Sequence, residues 1–256
     1  MTISTDNQRE NLIKSKARVQ KHGEVFTPKK IVKLMLDQPG IKEACEDLTA
    51  TFLEPAAGEG AFLVAILERK LKMVTKKYNK SIKQIENYSL LALSTLYGIE
   101  LLEDNAQACA INMFHKFNEL YLKQTQKFGA GVNDRVLSSA TTIISANIEQ
   151  GNFLTRKKPN GKPIIFSEWK AINLDKKPVT IEVIRTEYTL DDIFENALKS
   201  DGEVLKGVEK LHQTDFFALI DGDTTVENKR DTAVEPKYIK TNITDVYLEE
   251  TEGSSG

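Results

Sequence analysis

Apolar positions along the chain recur with two different spacings, and the two take turns. From Pro28 the residues Ile31, Val32, Leu34, Met35 and Leu36 predict a helix with one apolar side. Thr49-Ala50-Thr51-Phe52-Leu53 then reads as a short buried strand that ends at Glu54-Pro55. A tight turn, Gly58-Glu59-Gly60, follows. Beyond it Phe62, Leu63, Ile66, Leu67 and Leu71 keep helical spacing, which predicts a helix from Ala61 to Tyr78. Thr95 to Ile99 reads as a second strand ending at Glu100, and Asp104 or Asn105 caps the helix carrying Ala108, Ile111, Met113 and Phe114. Thr141 to Ile144 reads as a further strand, with Ile148 to Leu154 continuing it or pairing with it. Strand and helix in alternation predict an α/β, Rossmann-like fold: a mostly parallel sheet flanked by helices.

The character changes past Gly151. Lys157 to Lys162 forms a turn, Pro163 to Trp169 and Val179 to Thr186 are strand-like, and Thr189 with Asp191 and Asp192 starts a helix over 190–199. These elements predict a β-rich insertion after residue 155, spanning 155–200. Phe216 to Ile220 is one more apolar run. Residues 1–22 read as a basic, mobile or loosely helical arm, and 249–256 as an acidic, Gly/Ser-rich disordered tail.

Composition adds exclusions. Hydrophobic residues make up 40% of the 256, enough for a sizeable core. No apolar run approaches the roughly 18 residues that cross a bilayer, and the N-terminus, MTISTDNQRENLIK, lacks a secretory stretch. Two cysteines (45 and 109) and three scattered histidines (22, 115 and 212) make neither a disulfide framework nor a metal cluster. A cytoplasmic protein without membrane or metal is the expectation. Charge is unevenly spread beneath the net −2. Up to residue 186 the chain holds 28 Lys/Arg against 20 Asp/Glu, or +8; from Glu187 it holds 7 against 17, or −10. The basic front could face DNA phosphates, or could be a solvated helix face; the acidic end suits solvation or a basic partner.

The segment Glu54 to Leu63, EPAAGEGAFL, carries the most chemistry. An acid at a strand end, small residues, two glycines and a helix start build a nucleotide-sized crevice at the carboxyl edge of a sheet. It fails as a dinucleotide fingerprint, because Leu63 takes the third-glycine position and Glu54 and Glu59 would repel a pyrophosphate. Acids suit a ligand with a cationic amino group and a sulfonium, as in S-adenosylmethionine. Glu100, at the end of the next strand and followed by Leu101, can accept from both ribose hydroxyls. In Gly151-Asn152-Phe153-Leu154, Asn152 can bond an adenine edge and Phe153 pack on its face; Phe153 reads equally well as core.

Together with Gly23-Glu24-Val25-Phe26-Thr27-Pro28, these stretches resemble the adenine-specific (N6) DNA methyltransferases of restriction-modification systems. Four motifs stand in the family's order across residues 23–154. The resemblance implies a methyltransferase-like domain over 23–248 and S-adenosylmethionine as cofactor. By it Phe26, Thr27, Pro28, Glu54, Pro55, Ala56, Gly58 and Gly60 surround the methionyl end, Glu100 with Leu101 the ribose, and Asn152 with Phe153 the adenine. The family more often has Asp where Asn152 stands.

The departure concerns catalysis. The family's signature is Asn or Asp, then Pro-Pro, then an aromatic that stacks on the flipped base. This chain has no Pro-Pro pair. The positional candidate is Phe217 to Gly222 followed by Asp223-Thr224-Thr225-Val226, where Asp223 could accept from an amino group and Val226 cannot stack. Two expectations result. One is an adenine methyltransferase-like enzyme of a restriction or mobile-element system, acting on DNA weakly or with a specificity or restriction subunit. The other is a catalytically inactive cofactor-binding subunit or decoy working through protein contacts. An RNA or protein methyltransferase is a third.

Overall fold

The architecture, from a computed structural model, is described for residues 12–205 and 237–252. After α1 (Lys16–His22), α2 (Lys29–Leu36) and α3 (Ile41–Cys45), three strands form a parallel sheet: β1 (Phe52–Glu54), β2 (Leu96–Glu100) and β3 (Ile148–Gln150). Its order is β1-β2-β3, with Phe52 opposite Leu96 and Gly98 opposite Ile148. Helices α4 (Ala61–Lys77) and α5 (Ile82–Leu93) carry the chain from β1 to β2. Helices α6 (Glu103–Phe128) and α7 (Asp134–Asn147) carry it from β2 to β3. The expected alternation of parallel strands and helices is present, and the acids Glu54 and Glu100 close the first two strands on the sheet's carboxyl edge.

A second sheet follows, antiparallel: β4 (Ile165–Ala171), β5 (Glu182–Thr189) and the short β6 (Thr241–Asn242), with α8 (Leu190–Phe194) continuing β5. Both strands expected after the lysine turn are there. A small core of Ile99, Ile164, Phe166 and Leu190, with Tyr97 and Phe153 packed on it, joins the two sheets. Arg185 ties the C-terminal residues to this sheet. Its buried guanidinium lies between the rings of Trp169 (4.9 Å) and Tyr238 (4.6 Å) and donates to Ser167 Oγ and Glu249. Of the acidic tail, residues 249–252 are therefore held to the sheet, through Glu249 and a bridge between Thr251 and Tyr238.

Three differences from the sequence expectations have physical causes. Thr141 to Ile144 lie in α7 and form no strand. Asn133 caps this helix, and the Thr141 and Thr142 hydroxyls donate to the carbonyls of Leu137 and Ser138, four residues back. Val136, Ala140, Ile143 and Ile144 then share a buried face that outweighs the strand preference of β-branched residues. The helix expected over 190–199 stops at Phe194, where Asn196 turns left-handed (φ 51°). Helix α5 escaped the periodicity because ten of its twelve residues, from Gln84 to Leu93, are buried, so no polar face marks it.

Entry into β1 is fixed by a buried cation. Lys70 of α4 is fully buried, and its ammonium donates to the carbonyls of Asp47 (2.7 Å) and Ala50 (2.8 Å), with Leu48 at 3.5 Å. The ammonium nitrogen lies 5.6 Å from the centre of the Phe52 ring. Burial pushes the ammonium down from 10.5 to about 8. Between those pH values the unfolded chain holds a proton that the folded one has released, so this residue makes stability rise with pH across the window. Lys70→Met should cost about 1–3 kcal/mol at neutral pH, because carbonyls before β1 lose their donor. The rise between pH 8 and 10.5 should also flatten relative to wild type, as chemical denaturation at several pH values will show.

Candidate cofactor site and the arm that covers it

The glycine turn after β1 packs against the end of β2. Ala57 N–H donates to the Ile99 carbonyl (2.9 Å) and Gly58 N–H to Glu100 Oε2 (2.8 Å). The other Glu100 oxygen accepts from Leu102 N–H (3.0 Å). One carboxylate thus clamps two loops at the carboxyl edge. Gly58 and Gly60 both adopt positive φ (54° and 88°), and a Cβ at Gly60 would stand 2.9 Å from Cys109 Sγ, so α6 seats directly against the turn. Asn112 of α6 fastens it by donating to the Glu59 carbonyl (2.9 Å).

The expected residues fall into three groups. Glu54, Pro55, Ala56, Gly58 and Gly60 form the turn, and Glu100 and Leu101 lie beside it, Leu101 half exposed. Glu54 accepts from Ala56 N–H, while burial raises its carboxyl above the ordinary value. Phe26 joins them from upstream: its ring lies 3.6 Å from where a Gly58 Cβ would be, and Thr27 and Pro28 lead from it into α2. Asn152 stands in the loop after β3. Its side-chain oxygen accepts from Leu154 N–H (2.9 Å) and Thr155 N–H (3.2 Å), so it closes its own turn. Phe153 packs at the edge of the small core between the sheets. Gly151 N–H still donates to the Glu100 carbonyl (2.9 Å), which keeps this loop beside the acid. Asp223 lies outside the described residues.

A cavity of about 440 Å³ opens elsewhere, beside β1, between Thr51, Leu53, Tyr97, Phe166, Tyr188 and Asn196. None of the expected cofactor residues lines it. Among the described residues no cluster of His, Cys, Asp and Glu could hold a metal ion, and no helix is long and apolar enough to cross a membrane.

Sequence reasoning missed the latch on this rim. The described part of the basic arm lies across the start of α6. Lys14 reaches Glu59 (2.9 Å), Asp104 (3.0 Å) and Asn105 (2.7 Å), and Arg18 binds Asp104 through both terminal nitrogens and also bonds Glu24. Phe26 N–H donates to the Leu12 carbonyl (2.8 Å), and Lys14 lies 5.9 Å from the Phe26 ring centre. The arm therefore braces the Phe26 segment over the glycine turn. The basic character of the arm was the available signal, but its partners Glu59, Asp104 and Asn105 stand about 45 to 90 residues away in sequence.

A three-stranded parallel sheet flanked by helices, with a glycine turn between two strand-end acids, is compatible with a methyltransferase-like fold. More particularly, residues 9–131 match the model of the N-6 DNA methylase family, and over that stretch, just under half of the chain, the protein resembles adenine N6 DNA methyltransferases. The match takes in the arm, the Phe26 segment, the glycine turn and Glu100, and ends before Asn152 and Phe153. Neither the curated proteins nor the solved structures give a match to the chain.

The latch is electrostatic, with a testable consequence. The Arg18 guanidinium, followed by Lys14, holds the Asp104 carboxyl down at about 2, below its ordinary 3.8. Its contribution is thus complete above about pH 4 and lost as pH falls toward 2. Asp104→Asn at pH 7 should speed amide exchange in α1 by about threefold or more, given ~0.2–1 kcal/mol per exposed pair. High salt should do the same to wild type. Hydrogen exchange read by mass spectrometry tests both; unchanged protection of residues 16–22 would mean that the arm is held by packing instead.

Proposed function

We propose that this is an S-adenosylmethionine-binding, DNA adenine N6-methyltransferase-like protein of a restriction-modification or mobile-element system, whose methyl transfer to DNA is weak or depends on a partner chain. The observation that carries this reading is the Glu100 clamp, which sets a strand-end carboxylate against the backbone of a glycine turn within the segment that matches the family. The donor set fits the cofactor. Each Glu100 oxygen already accepts one amide and keeps a lone pair for a ribose hydroxyl. Glu54, exposed in part at the turn, offers a negative charge to a cationic methionyl end. The first-turn amides of α4 have no intrahelical partners and suit a carboxylate. Phe26 lies where it would shield such a ligand from water. When bound, S-adenosylmethionine supplies an electrophilic methyl group.

The protein's residues then bind and orient; what holds an acceptor amino group is a separate matter. The absence of any Pro-Pro pair favours a second reading, a cofactor-binding subunit that is itself silent and acts through protein contacts. We read the second sheet, with its acidic neighbourhood, as an insertion that serves either role.

Calorimetric titration with S-adenosylmethionine tests the first reading. Wild type should bind, and Glu100→Gln should weaken binding by roughly 10- to 100-fold, from the ~1.5–3 kcal/mol of a charge-assisted hydrogen bond. Thermal melting of both proteins checks that the clamp variant is folded. No binding by wild type overturns the proposal. Binding followed by labelled-methyl transfer to mixed-sequence DNA establishes the enzyme; binding without transfer, with RNA and protein also offered, leaves the silent subunit or a transfer that needs the partner chain.

A further inference from the structure

The loop that leaves β3 presents a planar cation on an aromatic ring, in a form that ordinary packing does not require. Arg156 lies over the Phe194 ring, its guanidinium carbon 4.5 Å from the ring centre, and Asp191 holds it at 2.6 Å. Phe153 stands beside Phe194, ring centres 6.0 Å apart and planes inclined by 58°. Phe194 is nevertheless 49% exposed and the neighbouring Leu154 is 87% exposed.

Two further observations separate this group from a chance surface pair. Arg156 adopts the left-handed backbone conformation (φ 58°), which costs a non-glycine residue of order 1 kcal/mol and marks a side chain aimed by its loop. The loop is rigid enough to sustain that: Asn152 closes its turn, Asn152 N–H donates to the Lys157 carbonyl, and Ile164 N–H donates to the Arg156 carbonyl (3.1 Å). The charges around it that no ion pair neutralises are basic in excess. Asp191 is paired with Arg156 and Asp192 with Lys199, whereas exposed Lys157 and partly exposed Lys162 have no ion-pair partner among the described residues. Glu195 is the acid at the end of α8.

A guanidinium plane and an exposed aromatic ring beside lysines are the groups that hold unpaired bases, by stacking and by attraction to phosphate. The loop springs from Gly151, bonded to the Glu100 carbonyl, so the platform stands on the same edge as the candidate cofactor acids. We propose that Arg156 and Phe194 form a stacking site for an unpaired nucleobase of DNA. This deepens the methyltransferase-like reading and rests on it for the identity of the nucleic acid. The platform supplies a stacking surface that the sequence, lacking the family's Pro-Pro-aromatic segment, does not supply elsewhere by motif.

The test uses the full chain and two 20-mer duplexes labelled with 2-aminopurine, one fully paired and one with the fluorescent base opposite an abasic position. Wild type should prefer the unpaired base by roughly 5- to 100-fold, the equivalent of ~1–3 kcal/mol of stacking. Phe194→Ala and Arg156→Ala should remove the preference and leave affinity for the paired duplex within about twofold of wild type for Phe194→Ala. Phe194→Tyr should keep it. Arg156→Lys, which retains charge and loses the plane, should lose most of it. Equal affinity for both duplexes, no binding to either, or a preference that survives Phe194→Ala overturns the proposal. A lowered melting temperature with unchanged discrimination assigns the pair to stability alone and overturns it too. S-adenosylmethionine titration of the same samples keeps the two readings apart: cofactor binding without base discrimination removes the platform, and discrimination without cofactor binding removes the cofactor reading.

Discussion

The rim of this molecule depends on one carboxylate. Glu100 sits at the end of β2, almost fully buried, and its two oxygens accept one amide from the turn after β1 and one from the turn after β2. A buried carboxylate without donors would be costly, and backbone amides are the donors a folded chain can set most rigidly. Satisfying Glu100 therefore fixes the position of Gly58, and with it the start of α4. The glycines follow from the same constraint: a turn drawn this close to β2 and to Cys109 has room for backbone only at residue 60.

Around that clamp the elements are held from outside by charge and from below by burial. Lys70 pins the approach to β1 through three carbonyls, on the far side from solvent. The arm, by contrast, is held at the surface by Lys14 and Arg18, where ion pairs are individually weak and responsive to salt. The two fastenings differ in kind. One is part of the folded core; the other lies at the surface.

Much of the parallel half could be read from the sequence, because its signals are local. The helix after Gly60 shows its apolar stripe, and the acids at positions 54 and 100 fall at strand ends where the pattern stops. What could not be read is what depends on distant partners. Helix α5 is enclosed on nearly every side, so its sequence has no polar face to give it away. The threonine–isoleucine run of α7 has strand-like residues, yet its hydroxyls are satisfied inside the helix. The side-chain oxygen of Asn152 is taken by the amides two and three residues on, a local partner choice that the Gly-Asn-Phe-Leu segment does not show by itself. The Arg156–Phe194 contact joins residues 38 apart through a backbone conformation that no composition argument anticipates.

Cys109 shows what close packing behind the glycine turn does to reactivity. A thiol is a strong nucleophile only as its thiolate. Here burial, reinforced by the nearby charges of Glu100 and Glu54, pushes the thiol up to about 12, so it stays protonated at any physiological pH. Burial does most of this, and the charges of Glu100 and Glu54 add to it. A larger residue at position 60 would force that sulfur and its helix outward, so the missing side chain is what lets Cys109 stay packed against the turn.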